Sequence, residues 1–168
     1  GYSKPVAGEK RIRISSPKVA HYDETPAMST PEVTARLLEE VNKKKYNFIL
    51  VNFCNPDMLG HTGNFDATVQ ALEAVDECLG ESLTALKAVG GEVVIIADHG
   101  NAEKMLNLET GQPHTAHTCA PVPFIYIGRA AKIYHEAGAL TDVAPTILYL
   151  MGIKLPAEMT GQALVSLT

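Results

Sequence analysis

Two short, continuous apolar runs constrain the fold of this 168-residue chain most strongly. Phe48–Val51 and Val93–Ile96 contain no polar residue, which is typical of strands that are buried on both faces of a parallel sheet. Between these runs, apolar residues recur at helical spacing from about residue 64 to about residue 89. We therefore expect strands over 47–53 and 92–97 that flank a long crossover helix in a βαβ unit.

The rest of the sequence predicts two further helices and a third strand. The segment Ser29 to Glu32 offers a capping residue, a proline at the first helical position and an early acid, so it predicts a helix over 31–43. We expect a strand over 122–127 and a last helix over 142–151 that is capped by Thr141. This order of elements indicates an α/β fold, a three-layer αβα architecture with a largely parallel sheet.

Carboxylate and imidazole side chains are concentrated in three short segments. These are 52–63, with Asp57 and His61; 97–103, with Asp98 and His99; and 115–118, with His117. Asp and neutral His together suit Mn, Zn or Fe, and two such ions roughly 4 Å apart can clamp the attacking and leaving oxygens of a phosphoryl transfer. The residues themselves thus indicate a two-metal site and phosphoryl-transfer chemistry.

Two of these segments begin where a predicted strand ends, which is where open α/β sheets place their ligand sites. Asp57 and His61 are four residues apart, so both side chains can reach one ion. A helix-capping Asp and a solvated His explain that pair equally well. For Asp98 and His99 the ligand interpretation is favoured, because burying these groups without a partner costs free energy.

Two assignments stay open on the residues alone. His114 and His117 compete for the remaining ligand position, and spacing does not choose between them. Lys18 precedes a turn and reads from its surroundings as a solvated surface lysine.

Composition and charge exclude several classes of protein. With 46% hydrophobic and 20% charged residues the chain can bury a core, and its net charge of −5 argues against a nucleic-acid partner. No apolar run approaches the roughly 18 residues of a membrane span, and no signal sequence opens the chain. Cys54, Cys78 and Cys119 are odd in number and scattered, so we expect reduced thiols in a cytoplasmic protein.

Longer motifs spread over nearly the whole chain resemble those of one enzyme family, the cofactor-independent (2,3-bisphosphoglycerate-independent) phosphoglycerate mutases of the alkaline phosphatase superfamily. The Asp-His-Gly and Asp-x-Ala-Pro-Thr motifs alone would indicate only the superfamily, but the combination is specific. The matching segments are Ser16 to Ala20, Tyr22 to Asp23, Pro26 to Ser29, Asn55 to Met58, Gly60 to Gly63, Glu73 to Asp76, Ala97 to Glu103, Thr115 to Thr118 and Asp142 to Thr146.

The resemblance implies an alkaline-phosphatase-like fold and an isomerase of glycolysis that interconverts 3-phosphoglycerate and 2-phosphoglycerate. It implies two manganese ions, although Zn or Co can replace Mn because oxygen and nitrogen ligands accept all three. A small phosphoglycerate is then the expected partner, without nucleic acid or membrane.

The resemblance also implies the role of each matched residue. One manganese would be held by Asp57, His61 and His117, and the other with help from Asp98 and His99. The family's Thr-Ala-His-Thr motif uses its His as a ligand, which selects His117 over His114. Lys18 matches the family's active-site lysine, a cation suited to neutralising phosphate charge in the transition state.

Parts of the family's machinery have no counterpart in these residues. Its reaction passes through a phosphoserine, and the serine nucleophile lies far upstream of the region that matches. A metal-binding Asp near the amino terminus and the inserted transferase domain, with its substrate-binding arginines, are also missing. We expect residues 1–168 to be the carboxyl-terminal portion of the phosphatase domain and to be inactive alone. Ser15 and Ser16 match no catalytic position.

Two other functions compete with this interpretation. A superfamily phosphotransferase such as a phosphopentomutase would share the metal clusters but not the motifs at 16–20 and 55–63. A degenerate metal-binding or interaction protein is the non-enzyme alternative. Full-length family members are expected to be monomeric. A chain that lacks strands of its sheet is expected to expose an apolar face or edge and to associate with itself or with the missing part.

Overall fold

The computed structural model describes residues 4–133 and 137–168, which form two compact units. The protein is mixed α/β, as the sequence predicts. The first unit comprises Gly1–Gly91 and His99–Val122, and the second comprises Glu92–Asp98 and Pro123–Thr168. Within the described ranges, no helix has both the length and the apolar character that crossing a membrane would require.

Helices dominate the first unit. They are α1 (Thr30–Asn42), α2 (Asn55–Gly60) and α3 (Phe65–Ala88), preceded by a short 3-10 helix at Tyr22–Glu24. The bounds of α1 and α3 lie within one residue of the predicted ranges 31–43 and 64–89, because each has an uninterrupted apolar period. The short helix α2, which follows Cys54 directly, was not predicted.

The two long helices begin in different ways. Asn64 caps α3, since its side-chain oxygen accepts a hydrogen bond from the backbone N–H of Ala67 at 3.1 Å. The Ser29 side chain does not cap α1, because its hydroxyl donates to the carbonyl of Ser15 at 2.7 Å. That bond ties the segment just before Lys18 to the start of α1.

Helix α2 is held against α3 by one buried leucine and one buried amide. Leu59 is fully buried and packs with Ala67 and Ala71 of α3, whose small side chains permit a close approach. Asn55, at the start of α2, donates its amide N–H to the carbonyl of Ala71 at 3.1 Å. Because both ends of α2 are fixed in this way, the position of Asp57 on α2 is fixed as well.

In its described residues, the second unit contains two antiparallel strand pairs, one α-helix and a short 3-10 helix at Leu140–Asp142. Strand β1 (Val93–Ile96) pairs with β2 (Phe124–Ile127), and β3 (Ala131–Ile133) pairs with β4 (Val165–Leu167). Strands β1 and β2 match the predictions over 92–97 and 122–127, whereas β3 and β4 were not predicted.

The helix of the second unit, α4 (Val143–Leu150), confirms the prediction over 142–151 apart from its cap. Asp142, not Thr141, occupies the capping position, and its carboxylate accepts from the backbone of Gln162 at 2.9 Å instead of from the helix. The buried hydroxyl of Thr146 accepts from the backbone N–H of Leu164 at 2.9 Å. These bonds hold the chain leading into β4 against α4.

The predicted strand over 47–53 is not formed. Residues 47–53 carry no strand, and every strand pair in the described ranges is antiparallel, so the predicted parallel βαβ arrangement is not found there. Phe48 is 52% exposed and Leu50 is 81% exposed. A strand needs a neighbouring backbone for its N–H and C=O groups. The prediction of a buried strand is therefore wrong for the described chain, because an apolar run says nothing about whether a pairing partner is at hand.

An almost fully buried carboxylate near the end of α1 is surrounded by cations. Glu40 is 4% exposed, and one of its oxygens lies 2.6 Å from Arg36, 3.0 Å from Lys43 and 3.2 Å from Lys10. The hydrogen bond from Lys43, joined by that from Lys10, outweighs the effect of burial and lowers the pKa of Glu40 to about 2. The contact with Lys10 also attaches the first part of the chain to α1.

We expect Glu40→Gln to reduce the free energy of unfolding at neutral pH and to reduce its dependence on acid. The folded-state pKa lies below the ordinary value of 4.5, so ionised Glu40 stabilises the fold above that pH. Its contribution is lost as the pH falls toward the folded-state pKa. Urea unfolding between about pH 7 and about pH 2 should show a difference from the parent chain that shrinks with acid. Glu39→Gln removes the same charge from an exposed neighbour and is the control; a pH-independent difference for Glu40→Gln would contradict the prediction.

Candidate metal centre

Helix α2 presents two of the predicted ligands together. Asp57 lies in the first turn of α2, and His61 directly follows Gly60, the last residue of α2. The two residues are therefore one helical turn apart. The backbone N–H of His61 still donates to the carbonyl of Asp57 at 3.1 Å, which continues the helical geometry through His61. The two side chains share one face, and His61 Nε2 lies 3.2 Å from Asp57 Oδ1.

The other two imidazoles are brought together where the chain from 100 to 118 folds back on itself. Thr118 donates its backbone N–H to the carbonyl of Gly100 at 2.9 Å, and the segment reverses through a turn over 107–112. His99 and His117 flank this pairing. Their rings are stacked, with centroids 3.7 Å apart and an interplanar angle of 22°.

One carboxylate oxygen is the centre of the cluster. His117 Nε2 lies 3.1 Å from Asp57 Oδ1, and His99 Nε2 lies 4.0 Å from the same oxygen. The Nε2 atoms of His61 and His117 are 3.0 Å apart. We call Asp57, His61, His99 and His117 the Asp57 cluster; all four belong to the first unit.

The backbone sets the orientation of one imidazole. His61 Nδ1 lies 2.7 Å from the carbonyl oxygen of Thr115. A carbonyl can only accept, so Nδ1 carries the hydrogen and donates it. In the neutral ring this leaves the lone pair on Nε2, which is the nitrogen that faces Asp57. A ring held in this tautomer is prepared to act as a metal ligand.

The carboxyl of Asp57 is held in its charged form. Burial acts to raise its pKa, but the hydrogen bond from Asn101 and the electrostatic effect of the neighbouring His61, His117 and His99 rings outweigh that effect, so the pKa lies below its ordinary value. Asp57 is therefore an anion under ordinary conditions, and it is the only carboxylate of the cluster among the described residues. It can supply the negative charge that a divalent cation requires.

Gly100 allows the two arms of the folded-back segment to approach closely. A Cβ atom at this position would collide with the hydroxyl of Thr118 and lie 2.7 Å from a carboxylate oxygen of Glu103. Thr118 itself donates a hydrogen bond to Glu103, which holds the pKa of Glu103 below its ordinary value. The glycine and this bond fix the spacing between the backbone beside His99 and the backbone beside His117.

The donor atoms fit one first-row divalent ion. Ligand atoms about 2.0 to 2.2 Å from a metal stand roughly 3 to 3.5 Å from their neighbours in its shell. The spacings of 3.0, 3.1 and 3.2 Å among Asp57, His61 and His117 agree with that range. Ligand atoms of Asp57, His99 and His117 all lie within 4.8 Å of one another. A set of carboxylate and neutral imidazole donors suits Mn, Co, Zn or Fe.

The remaining predicted site residues are not members of the Asp57 cluster. Lys18 is exposed, and in residues 4–133 and 137–168 no bond joins it to the cluster. Asp98 directly precedes His99 in the chain and belongs to the second unit. His114, the competitor of His117, is outside the cluster, and its Nδ1 is buried without a hydrogen-bond partner in the described part of the chain.

Sequence reasoning did not single out two groups that contact the ligands. They are the side chain of Asn101 and the backbone carbonyl of Thr115. Both lie inside segments that were noted for their Asp and His residues. Asn is common in loops, and a carbonyl has no signature in the sequence, so neither contact could be predicted from residue type.

Comparisons with known proteins point in the same direction as this geometry. Residues 1–155 match the family model of the metalloenzyme superfamily. The chain is 54% identical over 167 residues to the 2,3-bisphosphoglycerate-independent phosphoglycerate mutases of Pseudomonas aeruginosa and Coxiella burnetii. Each match covers 99% of this chain and 32% of the relative, so the chain spans about a third of the length of these curated relatives.

A solved structure resembles the fold. It is the phosphoglycerate mutase of Leishmania mexicana, determined at low cobalt concentration. The likeness has a TM-score of 0.84 at 30% sequence identity and covers 92% of this chain and 31% of the other. The similarity in sequence and the similarity in structure thus point to the same kind of enzyme.

Proposed function

Because the chain belongs to the metalloenzyme superfamily, we propose that the Asp57 cluster binds divalent metal ions. The observation that carries this proposal is the convergence of His61 and His117 on Asp57 Oδ1 at 3.2 and 3.1 Å. Mn²⁺ is the proposed ion, and Co²⁺ or Zn²⁺ would suit the same donors. Bound ions would supply positive charge that polarises a phosphoryl group and stabilises its transfer.

We assign the ligands to two ions. Asp57, His61 and His117 would hold the first, which agrees with their mutual spacings of 3.0 to 3.2 Å. Asp98 and His99 would contribute to the second, which is supported by the longer distance of 4.0 Å between His99 Nε2 and Asp57 Oδ1. The stacking of His99 on His117 would keep the His99 imidazole next to the ligands of the first ion.

The proposed reaction is the interconversion of 3-phosphoglycerate and 2-phosphoglycerate, a step of glycolysis. Identity of 54% to enzymes with the name 2,3-bisphosphoglycerate-independent phosphoglycerate mutase supports it, as does the likeness to the Leishmania mexicana enzyme. The residues described here would bind metal and orient the phosphoryl group. Lys18, as an exposed cation, would contribute charge neutralisation to the transferred phosphoryl group.

We further propose that the chain corresponds to the carboxyl-terminal portion of a phosphatase domain. A serine nucleophile that carries the phosphoryl group, and the residues that grip the substrate, would then lie in the remaining two thirds that the relatives have. In the complete domain, which would have a three-layer αβα fold, the run over 47–53 would become a strand of the largely parallel central sheet. The exposure of Phe48 and Leu50 supports this, because such side chains are normally covered.

The proposed setting is that of a cytoplasmic enzyme with a small anionic substrate. The net charge of −5 gives no general attraction for a phosphate-bearing molecule, so binding would depend on metal ions and individual cations such as Lys18. The same charge disfavours a nucleic-acid partner.

The test is conversion of 3-phosphoglycerate to 2-phosphoglycerate with Mn²⁺ and without bisphosphoglycerate. We expect no turnover by the 168-residue chain alone and turnover by a version extended upstream to its natural start. Turnover by the chain alone would place the nucleophile within these residues. If neither protein turns over, the substrate assignment fails and another phosphate ester of the superfamily must be sought. Calorimetric titration with Mn²⁺ checks the metal centre separately from the reaction.

A further inference from the structure

We propose that Asn101 is a positioning residue that fixes the Asp57 carboxylate in the orientation from which Oδ1 faces the imidazoles. The contact is a hydrogen bond between two residues of the chain itself. Its consequence for affinity rests on the proposed metal centre.

Two hydrogen bonds join Asn101 to Asp57. Asn101 Nδ2 lies 2.6 Å from Asp57 Oδ1 and 3.3 Å from the backbone carbonyl oxygen of Asp57. Both of these oxygens can only accept, so the amide nitrogen of Asn101 must be the atom that faces them. One amide thus bridges the side chain and the main chain of the same residue, which restricts rotation about the bonds between them.

Asn101 is itself held rigidly. It is 5% exposed, and its backbone carbonyl accepts a hydrogen bond from Lys104 at 3.1 Å. It follows His99 by two residues, so the element that carries one imidazole also carries the group that orients the carboxylate. Its side-chain oxygen is buried and has no hydrogen-bond partner in the described residues.

The close packing of helix α2 against Asn101 Oδ1 explains why residue 60 is a glycine. A Cβ atom at Gly60 would collide with Asn101 Oδ1 and would lie 2.8 Å from Asn101 Cγ. Gly60 lies within a helix and has no positive φ, so its backbone does not require glycine. The close approach of the Asn101 amide does require it. An alanine here would displace the side-chain amide of Asn101, while Asp57, Asn101 and the imidazoles would all keep their native residue types.

The physical consequence concerns the ligand before an ion arrives. A carboxylate that rotates freely must lose that freedom on binding, whereas one already oriented by an outer hydrogen bond does not. Loss of such an outer partner typically lowers metal affinity by about 10-fold to 100-fold. We expect a loss of this size for Asn101→Ala.

The experiment is a double-variant cycle on Mn²⁺ affinity, measured by calorimetric titration of the 168-residue chain. Gly60→Ala should weaken Mn²⁺ binding by about 10-fold or more when Asn101 is present, because the new methyl group pushes the amide away. In the Asn101→Ala background the same substitution should have little further effect. Gly80→Ala, also in a helix but with no atom near the added methyl group, is the matched control and should leave affinity unchanged.

A second readout does not depend on metal. Three-bond couplings from the backbone carbonyl carbon and the backbone nitrogen of Asp57 to its Cγ report whether the χ1 angle occupies one rotamer. They should indicate a single rotamer in the parent chain and averaging in both Asn101→Ala and Gly60→Ala, at denaturant midpoints that show both variants folded. A residue that is merely structural would lower the midpoint without averaging the couplings.

The outcomes separate this inference from the proposed function. If the parent chain binds no Mn²⁺ but the couplings average in both variants, the positioning role stands and the metal centre of this chain fails. If the couplings stay those of a single rotamer in both folded variants, the positioning role is wrong. Equal losses of affinity for Gly60→Ala with and without Asn101 would also overturn it.

Discussion

Replacing Asp57 with Asn is expected to lower the affinity of the chain for Mn²⁺ by at least about 100-fold, more than the loss of an outer hydrogen-bond partner causes. Asp57 supplies the only carboxylate of its cluster in the described residues, and three imidazole nitrogens lie within 4.0 Å of its Oδ1. Asn has nearly the same volume but no negative charge. The cation would then meet neutral donors only, and the attraction that offsets its dehydration would be lost.

Calorimetric titration with Mn²⁺ measures this effect, and Asp76→Asn is the control. Asp76 lies on the exposed surface of α3, so its substitution changes the net charge equally without touching the cluster. We expect the control to bind as the parent chain does. Equal affinities for Asp57→Asn and the parent chain would remove Asp57 from the metal centre and with it the main support of the proposed function.

Replacing Gly63 with Ala is expected to lower the free energy of unfolding by about 2 to 3 kcal/mol, because it combines backbone strain with a collision. Gly63 has a φ of +72°, which a residue with a Cβ atom adopts only at a cost. The added Cβ would lie 2.9 Å from the Pro113 side chain and 3.1 Å from Thr115 Cγ2. Since the Thr115 carbonyl orients His61, the collision should also weaken metal binding.

Urea unfolding and Mn²⁺ titration check this prediction, and Gly111→Ala separates its two causes. Gly111 has a similar φ of +67°, but nothing lies within 4 Å of the position of its Cβ. This control should show only the strain, about 1 kcal/mol, and unchanged metal affinity. If both variants lose the same stability and bind Mn²⁺ equally well, the contact between Gly63 and the 113–115 segment has no role in the site.

Helices could be predicted from this sequence more fully than strands, for a physical reason. The pattern of α1 and α3 is complete within each segment, because a helix forms its hydrogen bonds internally. A strand depends on a partner elsewhere, so the apolar run over 47–53 suggested a buried strand that the structure does not form. The short strands β3 and β4 have only three residues each, too few for any periodic signal. The antiparallel pairing of β1 with β2 likewise depends on contacts far apart in the sequence.

The residues of the site also fall into those that the sequence could predict and those that it could not. The four-residue separation of Asp57 and His61 indicated that both could reach one ion, although the helix α2 that brings them to one face was not predicted. Spacing alone could not choose between His114 and His117, and the family resemblance selected the one that the structure places beside Asp57. The structure places Asn101 beside Asp57 through a fold-back that residue types do not encode. The proximity of residues close in sequence was therefore predictable, and the groups that arrive from distant segments were not.

The fold-back that brings His117 to Asp57 joins residues 60 positions apart in the sequence, and the contact of Asn101 with Asp57 joins residues 44 apart. Closing a flexible loop of that length costs roughly 4 kcal/mol of chain entropy before any contact repays it. The cluster should therefore be among the last parts of its unit to assemble and among the first to open. An ion that bridges Asp57 and His117 would act on the folding pathway as a reversible crosslink, and the folding of this region would then depend on the supply of metal.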